Sequence, residues 1–246
     1  MTSEVLTIAV VFAIAGFVKG VVSVGLPTVI MGLLGTMMAP KEAAAMLVVP
    51  ALVTNMWQAA AGPSLVPLLR RLWLMLAMIA VGTLMSIGLL TGGAPWLALI
   101  ALGLVLAAYG GFGLAAPRFT LPRAAERWWS PAIGWITGLV SGATGVFVVP
   151  SVPYLSAISI TKDELVQSVA IVALVSSTVL GVGLALKGAY AFSTAWTSLL
   201  AVLPALAGMW LGQSIRNRLQ PEVFRRWFFI GLIGLGLTML VRAWGH

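Results

Sequence analysis

Ten apolar runs follow one another along this chain, separated only by short polar breaks. They cover about residues 5–22, 26–39, 43–61, 72–90 and 95–115, then 131–141, 145–160, 165–186, 192–211 and 223–241. Inside hydrocarbon a backbone must satisfy its own polar groups, which leaves helices or closed barrels, and long runs without alternation specify helices. With 61% hydrophobic and 8% charged residues among 246, too little polar surface remains to cover a soluble domain. The expected fold is an all-α polytopic membrane protein whose surroundings are the lipid bilayer. Breaks at Pro40-Lys41-Glu42, Gly62-Pro63, Gly92-Gly93-Ala94-Pro95 and Gln220-Pro221 mark turns. Thr161 followed by Glu164 predicts a capping box.

Two runs are interrupted where a spanning helix should continue. From Gly134 to Pro153 (GWITGLVSGATGVFVVPSVP) the apolar character persists, yet Ser141-Gly142-Ala143-Thr144-Gly145 falls in its middle. Glycine is a poor helix former, and Ser and Thr favour caps and turns. The spacing predicts a helix over about 131–141 and a restart near Thr144. Arms of ~11 to 17 residues reach roughly 17 to 25 Å, short of a roughly 30 Å hydrocarbon core. Two readings are open: a glycine-kinked spanning helix, or a re-entrant hairpin with its tip inside the membrane.

The halves of the chain resemble each other. Gly16, Gly20 and Ser23 match Gly134, Gly138 and Ser141 at an offset of 118. Lys41-Glu42 then matches Lys162-Asp163 and Gly62 matches Gly183, at 121, while Gly82, Pro95 and Gly110 match Gly208, Pro221 and Gly236, at 126. An ordered series with slowly growing offset is the mark of duplication with small insertions. If both interrupted regions return to the side they entered, Arg70, Arg71, Arg118, Arg123, Arg127, Lys162, Arg216, Arg218, Arg225 and Arg226 share one face. Only Lys41, Lys187 and Arg242 then lie on the other. That is the positive-inside arrangement, whereas single crossings leave no bias. The expected architecture is two inverted repeats, each a re-entrant helical hairpin plus three transmembrane helices: residues 1–115, a basic cytoplasmic linker 116–130, and residues 131–246. Both termini are expected outside, and Glu4, with no basic residue before it, argues against a cleaved leader.

Composition excludes several function classes. The net charge of +8 sits in short loops rather than in a basic patch with interleaved aromatics, so no nucleic acid is expected as partner. There is no cysteine, and the only histidine is His246. Glu4, Glu42, Glu126, Asp163, Glu164 and Glu222 all fall at run ends or in loops. No HExxH, acidic metal cluster or Ser/His/Asp set can be assembled, so neither a metal, a cofactor nor an enzyme is expected.

Intramembrane polar residues are the candidates that remain. Lys19 either snorkels to an interface or offers charge to an anion beside the first hairpin tip. Helix starts near Gly25-Leu26-Pro27-Thr28 and at Thr144-Gly145 would aim unpaired N–H groups and positive dipole ends at the same place. Gly25 and Gly145 permit close backbone approach, and Ser23, Thr28, Ser141 and Thr144 carry hydroxyls that either serve the ligand or bond to carbonyls one turn back. Asn55 and Gln58, three apart on one helix face, are matched in the second half by Ser176-Ser177-Thr178; such residues either tie helices together or line a pathway. Gly82, Gly208 and Gly212 read as packing positions, and Trp57, Trp96, Trp128, Trp129 and Trp227 as interface anchors.

GFVKGVVSVGLPTV near the N-terminus, its echo GLVSGATGVFVVP, the PKEA and TKDE turns and the basic central loop resemble the sulfite exporter TauE/SafE family over essentially the whole chain. The resemblance implies a bacterial inner-membrane transporter for sulfite, sulfonates or related small organic anions. By motif position it places Lys19, Ser23, Gly25, Pro27, Ser141, Gly142, Thr144 and Gly145 near the substrate. Thr137 stands where Lys19's counterpart would be, so the two halves of the site differ in charge. The expected function is secondary transport of a small anion by alternating access, with a passive anion channel as the alternative and H+ or Na+ as candidate coupling ions.

Overall fold

The computed structural model describes residues 2–92, 94–115, 120–158, 160–190, 192–216 and 221–244. Gly93, Arg118, Arg218, Gln220 and His246, named above, lie outside the described residues. Eleven helices account for almost all of the rest: α1 Thr2–Val22, α2 Leu26–Leu34, α3 Pro40–Ala60, α4 Leu65–Thr91, α5 Pro95–Ala115, α6 Arg123–Thr144, α7 Val148–Ala157, α8 Lys162–Leu186, α9 Phe192–Leu200, α10 Val202–Ile215 and α11 Pro221–Trp244. Seven helical segments are long and apolar enough to cross a membrane, and the chain is an all-α polytopic membrane protein. Thr161 caps α8 with the full box: its hydroxyl accepts from the Glu164 N–H while the Glu164 carboxylate accepts from the Thr161 N–H.

The interrupted regions differ from the expectation in an informative way. Their first arms are full length: α1 has 21 residues and α6 has 22, about 32 Å each. Only the return arms are short, α2 with 9 residues and α7 with 10. The second break also comes later than expected. The helix continues through Ser141-Gly142-Ala143-Thr144 and ends at Gly145, whose positive φ of 73° turns the chain. Ser141 and Thr144 stay helical because the Thr144 hydroxyl bonds back to the Val140 carbonyl at 2.7 Å and the Gly145 N–H to the Ser141 carbonyl at 2.7 Å. The helix start expected at Thr144-Gly145 is therefore at Val148. α6 likewise begins at Arg123, inside the stretch read as a linker.

The run at 192–211 is also two helices rather than one. Pro204 has no N–H for the Leu200 carbonyl, and the break falls at Ala201. Pro50 frees the Met46 carbonyl within α3 in the same way. The Ser198 hydroxyl of α9 donates to that carbonyl at 2.7 Å, so the defect becomes a tie between helices.

Glycine decides how the helices pair. A Cβ on Gly16 or Gly20 of α1 would strike the backbone of Ala205 or Met209 of α10, and Gly208 and Gly212 answer from α10 against Ala13 and Phe17. Gly134, Gly138 and Gly142 of α6 meet Met75, Ile79 and Thr83 of α4, with Gly82 answering against Trp135. In both pairs rising numbers face rising numbers, so the helices run parallel. Each pair joins the first helix of one half to a helix of the other half's fourth apolar run. The remaining close pairs join sequence equivalents. α3 meets α8 through Val48 with Gly181 and Ala59 with Gln167, and α5 meets α11 through Gly103 with Gly236 and Gly110 with Phe229. Here rising numbers face falling ones, so these equivalents are antiparallel, and Lys41 and Lys162 start their helices at opposite ends of the bundle.

Side chains secure the turns. Gln167 donates to the Ala59 carbonyl at 2.7 Å and accepts from the Ser64 N–H at 2.8 Å, meeting the orphan groups where α3 ends and α4 begins. Arg71 grips Glu126 through two bonds of 2.9 and 2.7 Å, fastening α4 to α6. All ten tryptophans are exposed on the outside of the bundle.

Candidate functional site

Lys19 lies in the last turn of α1, just before the first break, and is 5% exposed. It does not snorkel. Its Nζ donates to Thr54 Oγ1 at 3.1 Å and to Asn55 Oδ1, both on α3. Both acceptors are neutral, and no described carboxylate pairs with the ammonium. Hydrogen bonds lower the cost of burying a charge without cancelling it, so a protonated Lys19 would gain from an anion beside it. The Thr54 hydroxyl also donates to the Pro50 carbonyl at 2.7 Å, which turns its lone pair toward Lys19.

Around Lys19 the first tip is built as the sequence suggested. Ser23 has a φ of 65° and Gly25 one of 113°; Gly25 is the N-cap of α2, and Pro27 sits in its first turn, where a missing N–H costs nothing. Gln58 Nε2 donates to the Ser23 carbonyl at 3.3 Å, so Asn55 and Gln58 do share the face of α3 that meets this tip. Thr28 is spent locally, its hydroxyl donating to the Gly25 carbonyl at 2.8 Å. Arg216 at the end of α10, not anticipated from the sequence, donates to Ser23 Oγ at 3.3 Å.

The second tip is divided between packing and free polar groups. Gly142 is pressed on α4 at Thr83 and Ser86, and Thr144 is used by the helix end, accepting from the Val146 N–H at 3.2 Å. A Cβ on Gly145 would lie 3.2 Å from Met31 Sδ, which places this tip directly on α2. Ser141 is buried and its hydroxyl has no partner. The same holds for Ser176 Oγ, Thr137 Oγ1 and Asn55 Nδ2. Buried polar atoms without partners are uncommon and each costs free energy unless a ligand or water meets it. The Thr83 and Ser168 hydroxyls are likewise without partners, and Thr137 and Ser176 stand opposite polar residues of the other half. Thr137 is the counterpart of Lys19 at offset 118, and Ser176 the counterpart of Asn55 at offset 121. Since Val48 faces Gly181 and Ala59 faces Gln167, Asn55 and Ser176 lie within about one turn of each other along the α3–α8 crossing. Thr54 is the member that sequence reasoning passed over; only its place beside Asn55 could have flagged it, whereas Thr137 was marked in the sequence as standing opposite Lys19. Among the described residues no cluster of His, Cys, Asp or Glu could hold a metal.

A family model described as "Sulfite exporter TauE/SafE" matches residues 8–239, nearly the whole chain. The chain belongs to the TauE/SafE family. No curated protein and no solved structure matches it. As a TauE/SafE protein it is a multi-pass membrane transporter, and its family works by moving solutes rather than by bond chemistry. The buried Lys19 thus lies in a chain whose family is described as a sulfite exporter.

Proposed function

We propose that this protein is a secondary transporter that carries a small oxyanion, sulfite or a sulfonate, across the bacterial inner membrane by alternating access. The observation that carries the reading is Lys19, a buried lysine beside the first hairpin tip whose described partners are neutral. Lys19 supplies charge, and Asn55 holds it through Oδ1 while presenting Nδ2. Ser141, Ser176 and Thr137 supply hydroxyl donors, and the first turn of α2 after Gly25 supplies backbone N–H groups and its dipole. Ser23, Pro27, Gln58 and Gly145 shape the tips; Thr28, Gly142 and Thr144 hold the hairpins together. The antiparallel α3/α8 and α5/α11 pairs support an inverted relation of the halves, with both termini outside and the arginine-rich face in the cytoplasm.

Purified protein in proteoliposomes tests this. Under an imposed H+ or Na+ gradient, wild type is expected to accumulate sulfite above its equilibrium level, whereas a passive anion channel would only equalise it. The absence of native cysteine allows a second test. Met31→Cys with Gly145→Cys, oxidised, should tie the second tip to α2 and stop flux, and reduction should restore it. Full flux in the cross-linked protein would show that the two hairpins need not separate.

A further inference from the structure

The two hairpins are sequence equivalents, yet they do not make equivalent contacts. Gly25 and Gly145 lie 120 positions apart, between the offsets of 118 and 121 that relate their neighbours. Gly145 is seated on α2 at Met31. Ser23 and Val24, at the other tip, instead face α7 across a cavity of about 710 Å³. The cavity lies where α5 ends and α8 and α11 begin, on the arginine-rich end of the bundle. Its walls are mostly apolar, with Phe112, Phe228 and Phe229 from α5 and α11 opposite Val152, Val166 and Val169 from α7 and α8. Arg225 lines it and makes no ion pair with a described acid. Arg216 is bonded to Ser23 at its edge, and the Ser23 N–H donates to the Lys19 carbonyl at 2.8 Å. Two guanidinium groups thus lie at or beside the cavity, one of them bonded to Ser23, one helical turn from Lys19 in the chain.

We infer that this cavity is a vestibule site for an organic oxyanion with an apolar body, its head group on Arg225 and its carbon chain against the phenylalanines. The inference rests on the anion-transport reading and adds a ligand class to it. A bare inorganic oxyanion would leave most of such a volume to water and use none of the apolar wall, whereas drug-sized ligands occupy cavities of several hundred Å³ with few polar groups. Low-dielectric walls and convergent cations also concentrate anions at the mouth.

The test is binding of sulfite and of linear alkanesulfonates from methane- to hexanesulfonate to the full-length protein in nanodiscs of neutral lipid. Affinity should rise about fourfold per methylene where the chain meets apolar wall. Phe228→Ala should flatten that rise while leaving sulfite affinity unchanged. Arg225→Gln should weaken the longer sulfonates by about fivefold. Ser156→Trp, which fills the cavity from an exposed position on α7, should abolish the chain-length dependence without disturbing the fold. Affinity flat along the series, or a rise unchanged by Phe228→Ala and Ser156→Trp, would overturn the vestibule. A flat series with sulfite flux still lost in Lys19→Ala leaves the transporter and removes the vestibule. A rising series that these variants flatten, beside normal Lys19→Ala flux, does the reverse.

Discussion

Lys19→Met lowers sulfite flux in proteoliposomes by about two orders of magnitude, the loss expected when one partner of a buried charge pair is removed. The protein still inserts and folds. Methionine fills the same channel beside Thr54 and Asn55, and replacing a buried, unneutralised charge with an apolar side chain is commonly neutral or stabilising. Two readouts therefore move in opposite senses. Thermal stability without anion stays the same or rises, while the stabilisation that sulfite gives wild type disappears, because only a ligand bound to the folded state shifts its melting. A merely structural lysine would give the contrary pattern, with stability falling and flux declining in proportion to the folded protein left. Asn55→Ala follows Lys19→Met in flux, since it removes both the acceptor that places Nζ and the free Nδ2.

Gly138→Val abolishes the monodisperse folded protein seen in size-exclusion chromatography, and Gly16→Val does the same. At each position a Cβ would enter the backbone of the facing helix, Ile79 for Gly138 and Ala205 for Gly16, and backbone cannot yield as a flexible side chain can. Overpacking costs ~1 to 3 kcal/mol in ordinary cores and more where two helices must separate along their length. In a membrane the loss is the larger because close packing, not water exclusion, holds such helices together. Gly111→Val and Gly231→Val are the controls: no atom lies within 4 Å of a Cβ at either, and both should purify like wild type. Equal behaviour of all four variants would mean that the parallel pairs α1–α10 and α4–α6 are not what holds the bundle.

Much of the architecture was legible because membrane helices advertise themselves by length and apolarity, and because turn residues stand where the breaks are. Lys19, Asn55 and Gln58 were legible for a related reason: a polar group inside an apolar run is costly enough to need a purpose. What escaped the sequence was how the second tip is shaped. Ser141 to Thr144 has the composition of a turn, but Gly142 is small because α4 presses on it, and Thr144 satisfies a carbonyl of its own helix. Local propensity points one way there and tertiary packing the other, and packing prevailed. The split at Ala201 needed only Pro204, a signal present in the sequence and outweighed by the length of the apolar run. Thr137 and Ser176 stood out in the sequence as counterparts of Lys19 and Asn55, and only the structure shows that their hydroxyls lack partners.

The reading as a whole depends on hairpins that come from opposite membrane faces to enclose one anion. Single cysteines at Lys41 and at Lys162, introduced one at a time into the naturally cysteine-free chain and labelled in intact cells with a membrane-impermeant maleimide, test that most directly. The expected result is labelling of Lys41→Cys from outside and of Lys162→Cys only after the membrane is opened. Labelling of both from the same side would contradict it.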